Sequence, residues 1–404
     1  MFEFCYTPYQ QPEKAMQHLK SKIQALDFEP NFAFFFLTEK LSKFCQIFKF
    51  NCNSISVPVE GIITPEGAWS RGALAFLTDF EVKINVLEGT ATEVCKKIEK
   101  MRKKDFNLLI YPLIFLKSRL SMLKTILRLQ KAGLERASKI YEELIYPINC
   151  LLRPFRDSGV TALSMNIFPL KIGIGIPKIA LNGKKIGRSV ICVSFREKVD
   201  LKFIDTFPER GKSAKETEEI LMQELPNPKK VKIAKRGIAI KEIDGMSIKE
   251  FIHKEGILMR NDLEKDFTNS NFFGATPYGL FPISMETYGS SFLGLMDYDL
   301  KFYPSLFDLD VFFDEAIFAG EFIRGGIKKV MENIPKSDFA LIDQNLMLMF
   351  EERIVEIAKV LGSYGVLTST PSITGKFDRK FLSEIEKGIC VNGTGTMNFL
   401  KFKG

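Results

Sequence analysis

Hydrophobic spacing along the chain alternates between helical and extended rhythms. Met16, Leu19, Ile23 and Leu26 recur at helical intervals and predict an amphipathic helix over 13–26. The next run, FAFFFL at 32–37, has no polar face, so it predicts a strand covered on both sides. A short helix over 40–48 follows, then a strand over 54–63 ending in the turn Thr64-Pro65-Glu66-Gly67. The stretch 72–87, GALAFLTDFEVKINVL, reads as one extended segment bent at Asp79. Residues 92–103 are helical in pattern and 106–111 form a strand.

Over 117–146, Leu120, Leu123, Ile126, Leu127, Leu134, Ala137, Tyr141 and Leu144 mark the inward face of one amphipathic helix. Asn182-Gly183 lies between two alternating runs within 178–195, the signature of a β-hairpin. The polar segment 209–230, with Pro226 and Pro228, reads as a linker between two halves. After it, Ile233, Ile238, Ile240 and Ile243 suit a half-buried strand, and Asp244-Gly245 a chain reversal. Ser247 with Glu250 makes a capping box for a helix carrying Ile248, Phe251 and Ile252.

The halves echo each other. Residues 31–63 run strand (NFAFFFLT), helix (KLSKFCQIF) and strand closing on glycine (NCNSISVPVEGII). Residues 338–375 repeat that order with DFALIDQ, EERIVEIAKVL and SYGVLTSTPSITG. The expected fold is therefore mixed α/β (α+β), two related sheet-and-helix halves from an internal duplication, packed about a pseudo-twofold.

Composition narrows the function classes. No run of about 18 uncharged apolar residues exists, and the N-terminus lacks a basic region before an apolar core. Membrane insertion and secretion are thus not expected, and the location read from the chain is cytoplasmic. The seven cysteines are scattered, odd in number and never in a CxxC pair, which suits reduced, mostly buried thiols. With only His18 and His253 beside them, no metal site is expected. From 96 to 139, thirteen Lys and Arg face Glu99, Asp105 and Glu135, an excess of ten against +8 for the whole chain. These charges suit the solvated face of the long helix; with no aromatics interleaved, nucleic acid is not an expected partner.

Catalytic signatures are sparse. His18 and His253 lie on helix patterns without a nucleophile elbow, and Gly173-Ile174-Gly175 is a lone GxG. Asp308, Asp310 and Asp314 alternate as in an exposed turn. No catalytic residue and no cofactor are assigned.

From about residue 31 onward, several short motifs occur in the order found in FIST proteins. NCNSISVPVEGII places Cys52 on that family's cysteine, and IALNGKKI is similar to its hairpin. IKEIDGMSIKEFI, IFAGEFIRGG, GVLTSTPSITG and CVNGTGTMNFL are similar to segments of its C-terminal half. The resemblance implies an N-terminal module over 1–225 and a C-terminal module over 226–404. It implies a stand-alone, non-catalytic sensory protein of signal transduction that binds a small metabolite between its halves and reports to a separate signalling protein. The alternatives are an enzyme of unknown chemistry using the same cleft, or an interaction protein engaging an acidic partner or nucleic acid through the basic region 96–139. The ligand-binding residues expected are Cys52, Asn53, Ser54, Ser56, Thr368, Ser369, Thr370, Asn392 and Thr394, small polar groups on two facing loops.

Overall fold

A computed structural model of the chain describes residues 1–101, 106–112, 148–167, 178–205, 228–236, 239–247, 331–343 and 351–368, seven further strands between 273 and 402, and scattered other positions. The fold is mixed α/β.

Three successive units share one strand order. The first runs β1 (Phe2–Thr7), α1 (Pro12–Gln24), β2 (Phe32–Leu37), α2 (Glu39–Ser42), β3 (Asn53–Pro58), a hairpin of β4 (Gly61–Thr64) and β5 (Gly67–Trp69), then β6 (Ala73–Thr78). The second runs β7 (Val82–Glu88), α3 (Ala91–Lys100), β8 (Phe106–Pro112), α4 (Ile148–Asp157), β9 (Thr161–Ile167), a hairpin of β10 (Ile179–Leu181) and β11 (Lys184–Ile186), then β12 (Ser189–Phe195). The third opens with β13 (Val199–Asp205) and is interrupted by β14 (Lys229–Arg236), β15 (Ala239–Ile243), β16 (Met246–Ser247), β17 (Phe273–Thr276), β18 (Gly279–Pro282), β19 (Ser291–Phe292) and β20 (Glu315–Phe318), which form a sheet of their own. It resumes with β21 (Phe339–Asp343), α5 (Glu351–Leu361), β22 (Tyr364–Thr368), a hairpin of β23 (Ile373–Gly375) and β24 (Ile389–Val391), and β25 (Thr396–Phe402).

Each unit builds four strands of a six-stranded sheet and lends its hairpin to another unit. The orders are β1-β6-β2-β3-β10-β11, β7-β12-β8-β9-β23-β24 and β13-β25-β21-β22-β4-β5. The exchange closes a cycle of three. The echoing strands β2 and β21 do occupy equivalent interior places, but the repeat is threefold: β8 holds the same place in the second sheet. The long stretch of chain between β8 and α4 hid this unit from a comparison of spacing alone.

The crossing hairpins also explain two differences from the expected elements. Residues 54–63 are two strands in different sheets, because Pro58 cannot donate to the ladder and the chain leaves at Val59. Likewise 72–87 splits into β6 and β7, which belong to successive units. The anticipated helix over 40–48 is α2 followed by a short 3-10 turn at Cys45–Ile47.

The three sheets share one central core. Phe32, Phe34 and Phe36 of β2 face it, and Ala33, Phe35 and Leu37 face α1, which is why FAFFFL needs no polar side. Phe339 stacks on Phe4 and Phe36 at 5.3 and 5.2 Å between ring centres, and Phe402 on Phe76 at 5.1 Å, joining the first and third sheets. Phe32 meets Phe195 edge-on at 6.3 Å and joins the first to the second. Helices cover the outer faces: α1 buries Met16, Leu19 and Ile23, and α3 and α4 bury Val94, Ile98, Leu151 and Phe155. The capping box of α3 pairs Thr90 with Glu93.

Gly72 is required where β5 turns into β6. Its φ is +98°, and an added Cβ would lie 2.1 Å from the Thr7 carbonyl oxygen. Its own carbonyl accepts from Thr38 N and Thr38 Oγ1, at 3.2 and 2.8 Å. Gly72→Ala is therefore expected to cost about 2–3 kcal/mol or more, read from urea unfolding.

The Asn182-Gly183 hairpin forms as expected, with φ of 51° and 76°. Asp244-Gly245 turns β15 into β16, and Ser247 and Glu250 exchange the expected hydrogen bonds, Ser247 N to Glu250 Oε2 at 2.9 Å and Glu250 N to Ser247 Oγ at 3.3 Å. Ile233 belongs to β14 and Ile240 and Ile243 to β15, two paired strands instead of one, and Ile238 lies outside the described residues. The basic stretch 96–139 and the segment 209–228 lie mostly outside the described residues. Two expected inward positions of the basic helix are on the surface: Leu120 and Leu127 are 61% and 45% exposed. The all-thiol expectation also needs correction at Cys95, which is disulfide-bonded.

Candidate functional site at the polar end of the central barrel

Reading the pleat inward gives matching layers in the three sheets. In the first sheet the layer nearest the C-terminal end of β2 is Tyr6, Leu74, Phe36 and Val57. In the second it is Val86, Ile191, Ile110 and Met165. The third sheet breaks the pattern. Its row is Thr396, Asp343 and Thr368, with Glu60 beside Thr368 through the hydrogen bond from Glu60 N to Leu367 O at 3.0 Å.

Alternation settles which way the described members of this row face. Leu341 and Val366 lie in the central core, so Asp343 and Thr368, two residues on, turn to the same side. Asn398, opposite Leu341, adds an amide to the next layer. Asp343 is fully buried, and Thr368, Thr396 and Asn398 are no more than 2% exposed. Thr368 Oγ1 donates to Asn166 O of β9 at 3.2 Å and ties the third sheet to the second. The Asn398 amide lies 3.5 Å from both Leu341 O and Thr396 Oγ1. Burial, with the Glu39 carboxylate nearby, pushes the Glu60 carboxyl up to about 7. Below this layer the barrel is phenyl-lined around a cavity of about 30 Å³, which Phe34, Phe36, Phe106 and Phe339 border. That space has an apolar lining and is far too small for a metabolite.

The structure places the sequence-derived residues differently from one another. Cys52 is half-buried, and burial pushes its thiol up to about 11, so it is not a thiolate near neutral pH. Asn53 begins β3, and its Oδ1 lies 3.4 Å from Asn182 Nδ2. Ser54 N donates to Asn182 Oδ1 at 2.7 Å, and Ser56 Oγ to Cys45 O at 2.7 Å, both holding the outer side of the first sheet. Thr368 ends β22 at the opposite end of the strands. Cys52 and Thr368 are therefore not brought together. Register explains it: Val57, not Cys52 or Ser54, is the counterpart of Thr368. Ser369, Thr370, Asn392 and Thr394 lie outside the described residues.

Among the described residues no group of three or more His, Cys, Asp and Glu is arranged to hold a metal ion. No described helix is long and apolar enough to cross a membrane.

These features define a class: a mixed α/β protein of three interlocked sheet units, with a fourth sheet inserted in the third unit. The inserted stretch matches the AF0772-like protein C-terminal domain family over residues 215–324. An uncharacterized protein of Archaeoglobus fulgidus is 48% identical over 347 residues, covering 85% of this chain and 99% of that protein. A second uncharacterized protein of that organism is 39% identical over 62 residues, 15% of this chain and all of that protein. The chain belongs to the AF0772-like family.

Proposed function

We propose that this protein binds a small polar ligand at the end of its central barrel, through Asp343, Thr368, Thr396 and Asn398, without transforming it. The observation that carries the reading is the register of the three sheets. At equivalent inward positions the first two units carry only aliphatic and aromatic residues, so the fold does not require polar ones there. Carboxyl, hydroxyl and amide groups converging in one layer above an apolar wall are the kind of polar lining that orients a small ligand. The FIST resemblance extends the reading to sensing, with occupancy reported to a separate protein.

One observation favours an enzyme instead. A carboxyl raised to about 7, as at Glu60, suits a general acid or base near neutral pH.

A thermal-shift screen over cationic and hydroxylated metabolites tests the proposal. A true ligand at about 100 times its Kd stabilises by about 2.7 kcal/mol. Thr368→Val is expected to erase that shift and Ser54→Ala to keep it; the reverse pattern would move the site to the start of β3. A hit consumed during incubation, with loss of turnover in Glu60→Gln, would favour the enzyme.

A further inference from the structure

We infer that the crossover from β3 to β4, where the first unit passes its hairpin to the third unit's sheet, is a pH-sensitive latch. Its centre is Glu60. Val59 N still donates to Leu37 O of the first sheet, at 2.9 Å, whereas Glu60 N donates to Leu367 O of the third, at 3.0 Å. One residue thus carries the chain from one sheet to the other.

Glu39 sits at the matching place beyond β2. Leu37 pairs with Pro58, and Glu39 and Glu60 each follow two residues later. The two carboxyls are neighbours past the end of a parallel ladder. Among the described residues, the groups toward Glu60 from the packed elements are acidic or neutral: Glu39 on α2, Thr368 on β22, and Asp343 one strand further. Lys40 on α2 is exposed, as is Glu66 at the far tip of the hairpin.

Protonated, the Glu60 side chain can stay in the half-buried turn. Ionised, it meets Glu39 and a poorly hydrating environment, and opening the turn relieves both. The sign follows from linkage. The carboxyl rises from an ordinary 4.5 to about 7, so the stability it contributes is whole below 4.5 and is lost as pH rises through about 7. No ligand enters this argument, so the latch stands or falls separately from the proposed binding site.

Hydrogen exchange of the full chain tests it, at about pH 5.5 and about pH 8.5, with rates corrected for intrinsic pH dependence. Peptides spanning β4 and β5 are expected to lose protection about tenfold or more at the higher pH, while β8 does not change. In Glu60→Gln that loss should vanish. An equal loss in Glu60→Gln, or none in the unmodified chain, overturns the latch. Should Glu60→Gln fail to fold, Glu39→Gln decides: the midpoint of the loss must move to lower pH, and an unmoved midpoint overturns the proposal.

Discussion

Phe339→Ala is expected to lower the free energy of unfolding by about 3–5 kcal/mol, measured by urea or guanidinium denaturation. Phe339 is 5% exposed and lies where two sheets meet. Its ring stacks on Phe4 of β1 and Phe36 of β2, so truncation removes burial and two inter-sheet ring contacts and leaves a void beside the existing cavity. The hairpin exchange makes this cost global. A unit cannot loosen by itself, because its sheet contains another unit's hairpin. Val360→Ala on α5 is the control: Val360 is 50% exposed, and its loss should lie within about 0.5 kcal/mol. A Phe339→Ala cost as small as that of Val360→Ala would mean that the sheets do not share one core.

The second large effect separates stability from binding. The triple change Asp343→Ile, Thr368→Met and Thr396→Ile writes the second unit's residues Ile110, Met165 and Ile191 into the third. Ligand binding should be abolished, while the unfolding free energy stays within about 2 kcal/mol of the starting protein or rises. Replacing buried polar groups together with apolar residues is often neutral or stabilising, whereas breaking one partner of a pair costs about 3–5 kcal/mol. The lost Thr368 bond to Asn166 O sets the unfavourable side of that range. Loss of folding would show that the polar row is structural cement. The trade of stability for binding is the expected signature of a functional site.

Much of the fold was legible because local rules agreed with tertiary packing. FAFFFL announced a strand covered on both faces, and Asn182-Gly183 a hairpin, since each depends on neighbours in sequence. The echo between NFAFFFLT and DFALIDQ was legible for the same reason. What escaped was non-local. A hairpin that crosses to another sheet leaves only Pro58 and Gly61 as traces, so one extended run was read where two strands lie in different sheets.

The site residues escaped for a related reason. Asp343 closes an apolar strand and looks like an ordinary strand end when DFALIDQ is read alone. Setting NFAFFFLT, DFNLLIYP and DFALIDQ side by side puts Asp343 against Phe36 and Ile110, and only then is the carboxyl out of place. Thr396 and Asn398 emerge the same way against Leu74 and Ile191, Phe76 and Val193. Cys52, Ser54 and Ser56 form a polar cluster in the sequence, but Ser54 and Ser56 secure the outer side of a sheet and Cys52 precedes the strand.

The most direct test is a crystal structure of the protein with a thermal-shift hit bound. Ligand density is expected within hydrogen-bonding distance of Asp343, Thr368 and Thr396, with Phe36 and Ile110 as its apolar wall. Density beside Cys52 and Asn53, with the Asp343 row unchanged, would contradict it.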